Sequence, residues 1–392
     1  MLRQKFFTAV SLFGISFTIM IFSVSTSLFD LCYGNNAPAV NRSRTLHLKG
    51  ISFYSHTMPY SYVNMDSNLY KELGQSEYVE QICLYISGSF RTFSKDKVVT
   101  FPLAYTDEQL WNIYDYRFLE GRPYNNRDIA SGKRYAVISE SVRKFYFGDG
   151  KAVGRSIGDD EKFEVIGVVK DMLLLNSEGP EGAVIWVPYS AADAVNNQSK
   201  LSVILARTAG DIPDIKETIV HIVERTEMYK LTKGSSVKLD AGTIYEKKDF
   251  GYAVLFIVVF LFFIVIIPAL NMVGLNVNRI SERSSEIGIR KAFGASSAVL
   301  AGQFIVENII ITAIGGVLGV LLTLAVSDQV VNLLFFDAPE SVHALEYGLI
   351  SWRTILYSVL SIIFFGLLSG IIPAWRMSRL HAIQALKGGS TL

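Results

Sequence analysis

Side chains capable of covalent or metal chemistry occur in this sequence, but their spacing does not assemble them for it. His47, His56 and His221 are scattered, with no H-E-x-x-H pair and no C-x-x-C run to hold a metal. Ser139 and Ser141 lie outside any G-x-S-x-G elbow, and Ser139 reads better as a helix cap. The glycine-rich run FGDGKAVG is not a phosphate-binding loop, because Ala152 follows Lys151 where Ser or Thr is needed and Phe145 stands where the first glycine belongs. It reads as a turn. No catalytic, cofactor or metal site is expected, and an external enzyme tethered by membrane helices has no constellation to support it. Cys32 and Cys83 are read as two unpaired thiols.

The remaining chemistry is that of charge. The run SERSSEIGIRKAFGAS, Ser281 to Ser296, carries Glu282, Arg283, Glu286, Arg290 and Lys291 between two long apolar segments. Glu286 and Arg290 form an i,i+4 pair in the favourable order, and Arg283 and Glu286 an i,i+3 pair. Ile280, Ile287 and Phe293 suggest an apolar stripe, and Gly294 fits a helix stop after the basic last turn. Ser296 or Ser297 can then cap the next helix. The spacing predicts a short amphipathic helix at about 279–296. Two roles compete for it: rest on lipid headgroups, or docking to a partner protein.

Four apolar stretches must position this connector: Phe6–Leu28, Tyr252–Val277, Phe304–Val326 and Thr354–Ile372. Each reaches the ~20 residues needed to cross hydrocarbon. The first is too long for the core of a cleaved signal sequence and is expected to stay as an anchor. Lysine and arginine cluster before segment one, between segments two and three, and after segment four. Both termini and the connector are therefore expected in the cytoplasm, with 32–250 outside. Within the membrane, Asn271 beside Pro268 predicts a kinked second helix, and Glu307 opens the third either at the interface or in a polar contact between helices. Gly315 with Gly319, and Gly366 with Gly370, have the G-x-x-x-G spacing of closely packed helices. Four helices leave little room for a conduit within one chain, so a dimer is expected. The net charge of +1 gives no basic field for nucleic acid.

The external region is long enough for its own core. LHLKGISFY, VEQICLYI, KVVTF, RYAVIS, FEVIGVVK, AVIWVP and SVILAR read as strands. Ser139 to Phe145, stopped by Gly148, and Asp211 to Glu227 read as helices, the second with Ile212, Ile215, Ile219 and Ile222 on one side. The fold class is thus an α-helical membrane bundle of four spans, with a large α+β domain, with room for two subdomains, inserted between the first and second.

On these residues the chain resembles the ABC-transporter permeases of the FtsX-like, MacB-type family. SERSSEIGIRKAFGAS is similar to the family run that follows the second membrane helix. GGVLGV resembles its glycine-rich third helix, and IPAWRMSRLHAIQAL its C-terminal ending, with Ala382 where proline is usual. EGRPYNNRD, YAVISESVRKFYFGDGKAVGRSI and FEVIGVVKD look like the MacB-type periplasmic core domain. The resemblance implies residues 1–31 as membrane helix one, 32–250 as periplasmic core and 251–392 as FtsX-like permease domain. It implies an inner-membrane protein that is not itself an enzyme, with ATP bound by a separate ABC-type ATP-binding subunit. That subunit would dock on Arg283, Glu286, Ile287, Gly288, Arg290, Lys291 and Gly294. It also implies a second permease chain, homo- or heterodimeric, membrane lipid around the bundle, and room for periplasmic or outer-membrane partners. Export of a substrate is the leading expectation, and regulation of envelope proteins through the periplasmic domain is the alternative.

Overall fold

The computed structural model describes residues 2–54, 61–63, 67–94, 97–159, 162–171, 179–191, 201–225, 236–246, 250–264, 266, 274, 284–334 and 352–378. The chain divides into two compact units, one holding Met1–Phe29 together with the helices from Tyr252 onward, the other running from Asp30 to Gly251.

In the second unit the elements are β1 (Thr45–Tyr54), β2 (Ser61–Val63), α2 (Ser67–Gly74), β3 (Val79–Ser94), β4 (Lys97–Thr106), α3 (Leu110–Ile113), β5 (Phe118–Gly121), α4 (Asn126–Ala130), β6 (Tyr135–Ser139), α5 (Glu140–Phe147), β7 (Ser156–Ile157), β8 (Phe163–Val169), β9 (Ile185–Pro188), β10 (Leu201–Ala206), α6 (Ile212–Glu224) and β11 (Ser236–Gly242). Among the described residues these strands form one sheet, in the order β11-β1-β10-β3-β4-β9-β6-β8-β5, with β2 on β1 and β7 on β8. The pairs β4–β9 and β6–β8 are parallel and the others antiparallel.

Alternation of side chains splits the core between the two faces of this sheet. Cys83, Tyr85, Val137, Trp186, Val203 and Leu205 point to an aromatic cluster centred on Trp111, whose ring lies edge-on to Tyr124 at 5.1 Å and to Tyr116 at 5.5 Å. Their neighbours point the other way. Ile82, Ile204 and Ala206 meet Leu69 and Leu73 of α2 and the isoleucines of α6. Ile138, Val165, Ile185 and Val187 pack with Val142 of α5. The seven expected strands are all present. The α5 boundaries follow from capping: the Ser139 hydroxyl accepts from the Val142 amide, and Gly148 ends the helix at φ 61°. Both cysteines are unpaired, and Cys83 is buried.

The remaining helices are α1 (Leu2–Tyr33), α7 (Phe250–Ile264), α8 (Ser284–Ala292), α9 (Ser297–Leu334) and α10 (Trp352–Ser378). Among the described residues, Thr8–Tyr33 and Ala298–Ser327 are long and apolar enough to cross a membrane. Phe250–Ile264 and Trp352–Phe364 are shorter apolar helical stretches, lying where the second and fourth spans are expected. Most of the second span beyond Ile264, Pro268 and Asn271 included, lies outside the described residues, as does the C-terminal tail after Ser378.

One carboxylate ties three elements of the sheet domain together. Asp107 accepts from the Leu84 amide at 2.9 Å, from the Tyr70 hydroxyl of α2 at 3.2 Å and from the Gln109 amide at 3.1 Å. Burial pushes its carboxyl up from 3.8 to about 6, against the opposing pull of the Leu84 amide. The folded chain therefore takes up a proton between about pH 6 and pH 4 that the unfolded chain takes up only near pH 4. This group's contribution is fully present below the unfolded value and is lost as pH rises through about 6, to the extent of about 2–3 kcal/mol. Thermal unfolding of the purified chain, followed by tryptophan fluorescence at pH 4.5 and 7.5, is expected to show this component in the wild type. Asp107→Asn should flatten it, and an unchanged pH dependence would count against the assignment.

Candidate functional site

The connector folds as α8, and its two ends are set locally. Gly294 has φ 95°, which glycine adopts without a Cβ penalty, and the Ala295 amide donates back to Arg290 O at 3.0 Å. Ser296 Oγ then accepts from the Val299 amide at 3.3 Å and caps α9. Arg290 donates to Glu286 Oε1 at 2.6 Å and to Gln303 Oε1 of α9 at 3.3 Å, so the ion pair is also hydrogen-bonded to the following helix.

The exposed face of α8 is mixed in character. Ile289 is 49% exposed and Phe293, just past the helix, 89% exposed. Glu286 and Arg290 are exposed beside them. At about 100° per residue these four positions fall within about 100° of arc, while Gly288, which is buried, lies on the far side. Ile287, expected on the docking face, is half-buried and lies about 60° beyond the Arg290 end of this arc. Ile289, which the sequence reading did not single out, is the exposed isoleucine of the helix, and its i,i+4 spacing to Phe293 was the available signal. Arg283 lies outside the described residues. Lys291 is within the helix, but its side chain is not among those described.

Above the connector, α1, α9 and α10 pack through small and hydroxylated residues. Ser11, Ile15, Ile19, Ser23 and Ser27 recur every four residues on α1, and all are buried. Gly315 and Gly319 of α9 face them: a Cβ on Gly319 would stand 2.7 Å from Ser16 O and 2.8 Å from Ile19 Cβ, and one on Gly315 2.8 Å from Ile15 Cγ2. Gly316 instead faces Ile362 of α10. The hydroxyls of Ser23 and Ser358 are 2.8 Å apart, and Ser27 donates to Thr354 at 3.3 Å, which joins α1 to α10. Glu307 is half-buried, whereas Asn308 beside it is buried and its carbonyl accepts from Thr312 Oγ1 at 2.8 Å. Gly366 and Gly370 lie within α10, with their surroundings outside the described set. No group of three or more metal-ligating side chains occurs among the described residues.

Helices long and apolar enough to cross a membrane, a large α+β domain inserted between α1 and α7, and a charged helix leading into α9 fit the architecture of a membrane permease. The profile of the MacB-like periplasmic core domain matches residues 8–222, and that of the FtsX-like permease C-terminal region matches residues 252–382. The chain belongs to the FtsX-like, MacB-type family of ABC transporter permeases, inner-membrane proteins with an extracytoplasmic domain.

Its relatives include the macrolide export ATP-binding/permease protein MacB 1/2 of Paracoccus denitrificans, 24% identical over 72% of this chain and 41% of the relative. The chain thus spans well under half the length of that protein. The uncharacterized ABC transporter permease YvrN of Bacillus subtilis is 25% identical over 74% of this chain and 71% of the relative. Among solved structures, the periplasmic region of MacB from Actinobacillus actinomycetemcomitans is 16% identical, with a TM-score of 0.37 over 50% of this chain and 88% of that one.

The glycine contacts predict an order of damage. Gly319→Ala should cost about 1–3 kcal/mol, because its Cβ meets backbone. Gly316→Ala should cost less, since the Ile362 side chain it meets can rotate away, and Gly14→Ala, with nothing within 4 Å, should cost least. Melting temperatures in detergent would check the ranking.

Proposed function

We propose that this chain is the membrane subunit of an ABC transporter or mechanotransmission complex. A separate ATP-binding subunit hydrolyses ATP, and the permease converts that subunit's closure into motion of the extracytoplasmic domain, extruding a substrate across the envelope. The chain crosses the membrane four times with both termini in the cytoplasm, and a second permease chain completes the assembly. Permeases of this family work with ABC ATP-binding subunits, and the MacB relative is named for macrolide export.

The observation that carries this reading is the mixed face of α8. A helix resting on headgroups keeps its apolar and charged residues on opposite faces, one toward acyl chains and one toward water. Glu286, Ile289, Arg290 and Phe293 share one face, the apolar Ile289 and Phe293 directly beside the charged Glu286 and Arg290, an arrangement suited to a protein surface that offers apolar and polar groups together. That face is the docking site for the ATP-binding subunit, and the hydrogen bond from Arg290 to Gln303 carries the load into α9.

Two variants test it in nanodiscs with an ABC-type ATP-binding subunit. Ile289→Asp, and Glu286→Arg combined with Arg290→Glu, are each expected to weaken association at least about tenfold, roughly 1.4 kcal/mol, without loss of membrane insertion. Wild-type association and ATP-dependent activity in both would remove the docking assignment.

A further inference from the structure

The carbonyls of the last turn of α1 have no acceptor role left within the helix. Those of Asp30 to Tyr33 are met instead by the residues just past the helix and by the segments that flank the sheet. Asp30 O accepts from the Gly34 amide at 2.6 Å and from Asn36 Nδ2 at 2.7 Å. Arg42 Nη1 donates to Cys32 O at 2.6 Å and reaches Leu31 O at 3.4 Å. The Tyr245 hydroxyl donates to Tyr33 O at 2.7 Å. Both tyrosine rings meet Phe250, the first residue of α7, edge-on at 5.0 and 5.1 Å.

Arg42 is only 7% exposed. A buried guanidinium needs acceptors, and the partial negative charge at a helix C-terminus suits it. It sits in a single 3-10 turn, Arg42–Arg44, that leads directly into β1. The other arginine of that turn holds the sheet: Arg44 Nη1 donates to Ala206 O of β10 at 2.9 Å and is ion-paired with Glu80 of β3. One turn thus grips the end of α1 with one side chain and two central strands with the other. α1 itself is unbroken from Leu2 to Tyr33.

We propose that this turn is a two-headed coupler, in which Arg42 is the positioning residue that makes the end of α1 and the strands β1, β10 and β3 move together. The source of the motion rests on the coupling reading above, but the grip does not.

Hydrogen–deuterium exchange of the full chain in nanodiscs, with and without an ABC-type ATP-binding subunit and ATP, separates the two. In the chain alone, Arg42→Gln should speed exchange over 29–36 by about tenfold or more and leave β6 and β8 unchanged. Arg42→Lys should restore much of the protection, since an ammonium still reaches a carbonyl. Arg44→Gln should loosen 201–207 and leave 29–36 protected. With partner and ATP, the exchange of 79–86 and 201–206 should change in the wild type and not in Arg42→Gln. Wild-type rates over 29–36 in Arg42→Gln, or an undiminished ATP response, would overturn the proposal. Tyr245→Phe deletes one hydroxyl of the same clamp and should speed 29–36 by about threefold. Unchanged rates there would overturn the clamp even where Arg42→Gln fails to fold. A wild type insensitive to ATP, whose helix end still loosens in Arg42→Gln, would remove the coupling reading and leave the grip standing.

Discussion

A helix that leaves the apolar phase must settle its last four carbonyls, and this fold depends on how α1 does so. Inside the helix those groups have no donors, and in a dry or half-dry setting each costs free energy if left unmet. Gly34, Asn36, Arg42 and Tyr245 supply the donors. They come from both ends of the sheet domain, the segment before β1 and the segment after β11. The domain is thereby closed at the point where its chain begins and finishes, and the sheet grows outward from that closure.

Within the membrane unit the same economy of polar groups takes another form. α1 presents hydroxyls and isoleucines every fourth residue, and α9 answers with glycines. Hydrocarbon gives no hydrophobic reward for helix contact, so closeness and hydrogen bonds must supply it. The Ser23–Ser358 and Ser27–Thr354 pairs do this for α10, and the glycines do it for α9. On α8 and just past it, Ile289 and Phe293 stay exposed beside the Glu286–Arg290 pair.

Much of this was legible in the sequence where a local rule governed the outcome. The strands with β-branched alternation, the Ser139 cap with its Gly148 stop, and the Gly294–Ser296 reversal all depend on neighbours within a turn or two. What escaped was decided at a distance. β11 and β5 are sheet edges, short or half-exposed, and their own residues carry little signal. The parallel pairing of β4 with β9 joins segments about 80 residues apart, which no local pattern encodes. Ile289 and Ile287 are chemically alike, and only the roll of α8 on the bundle decides which is exposed. Arg42 reads as one more surface arginine until the end of α1 is seen beside it.

If α8 is the docking site proposed above, its shortness sets a limit on how an ATP-binding subunit is held. Nine residues of helix span about 14 Å. A foothold of that length covers only a fraction of the roughly 800 Å² per partner that stable complexes bury. One such contact would dissociate readily. On the proposed arrangement, two permease chains offering two such footholds to a paired ATPase turn weak grips into a lasting one by effective concentration. The ATPase could then release one side without leaving the complex, which a single large interface would forbid.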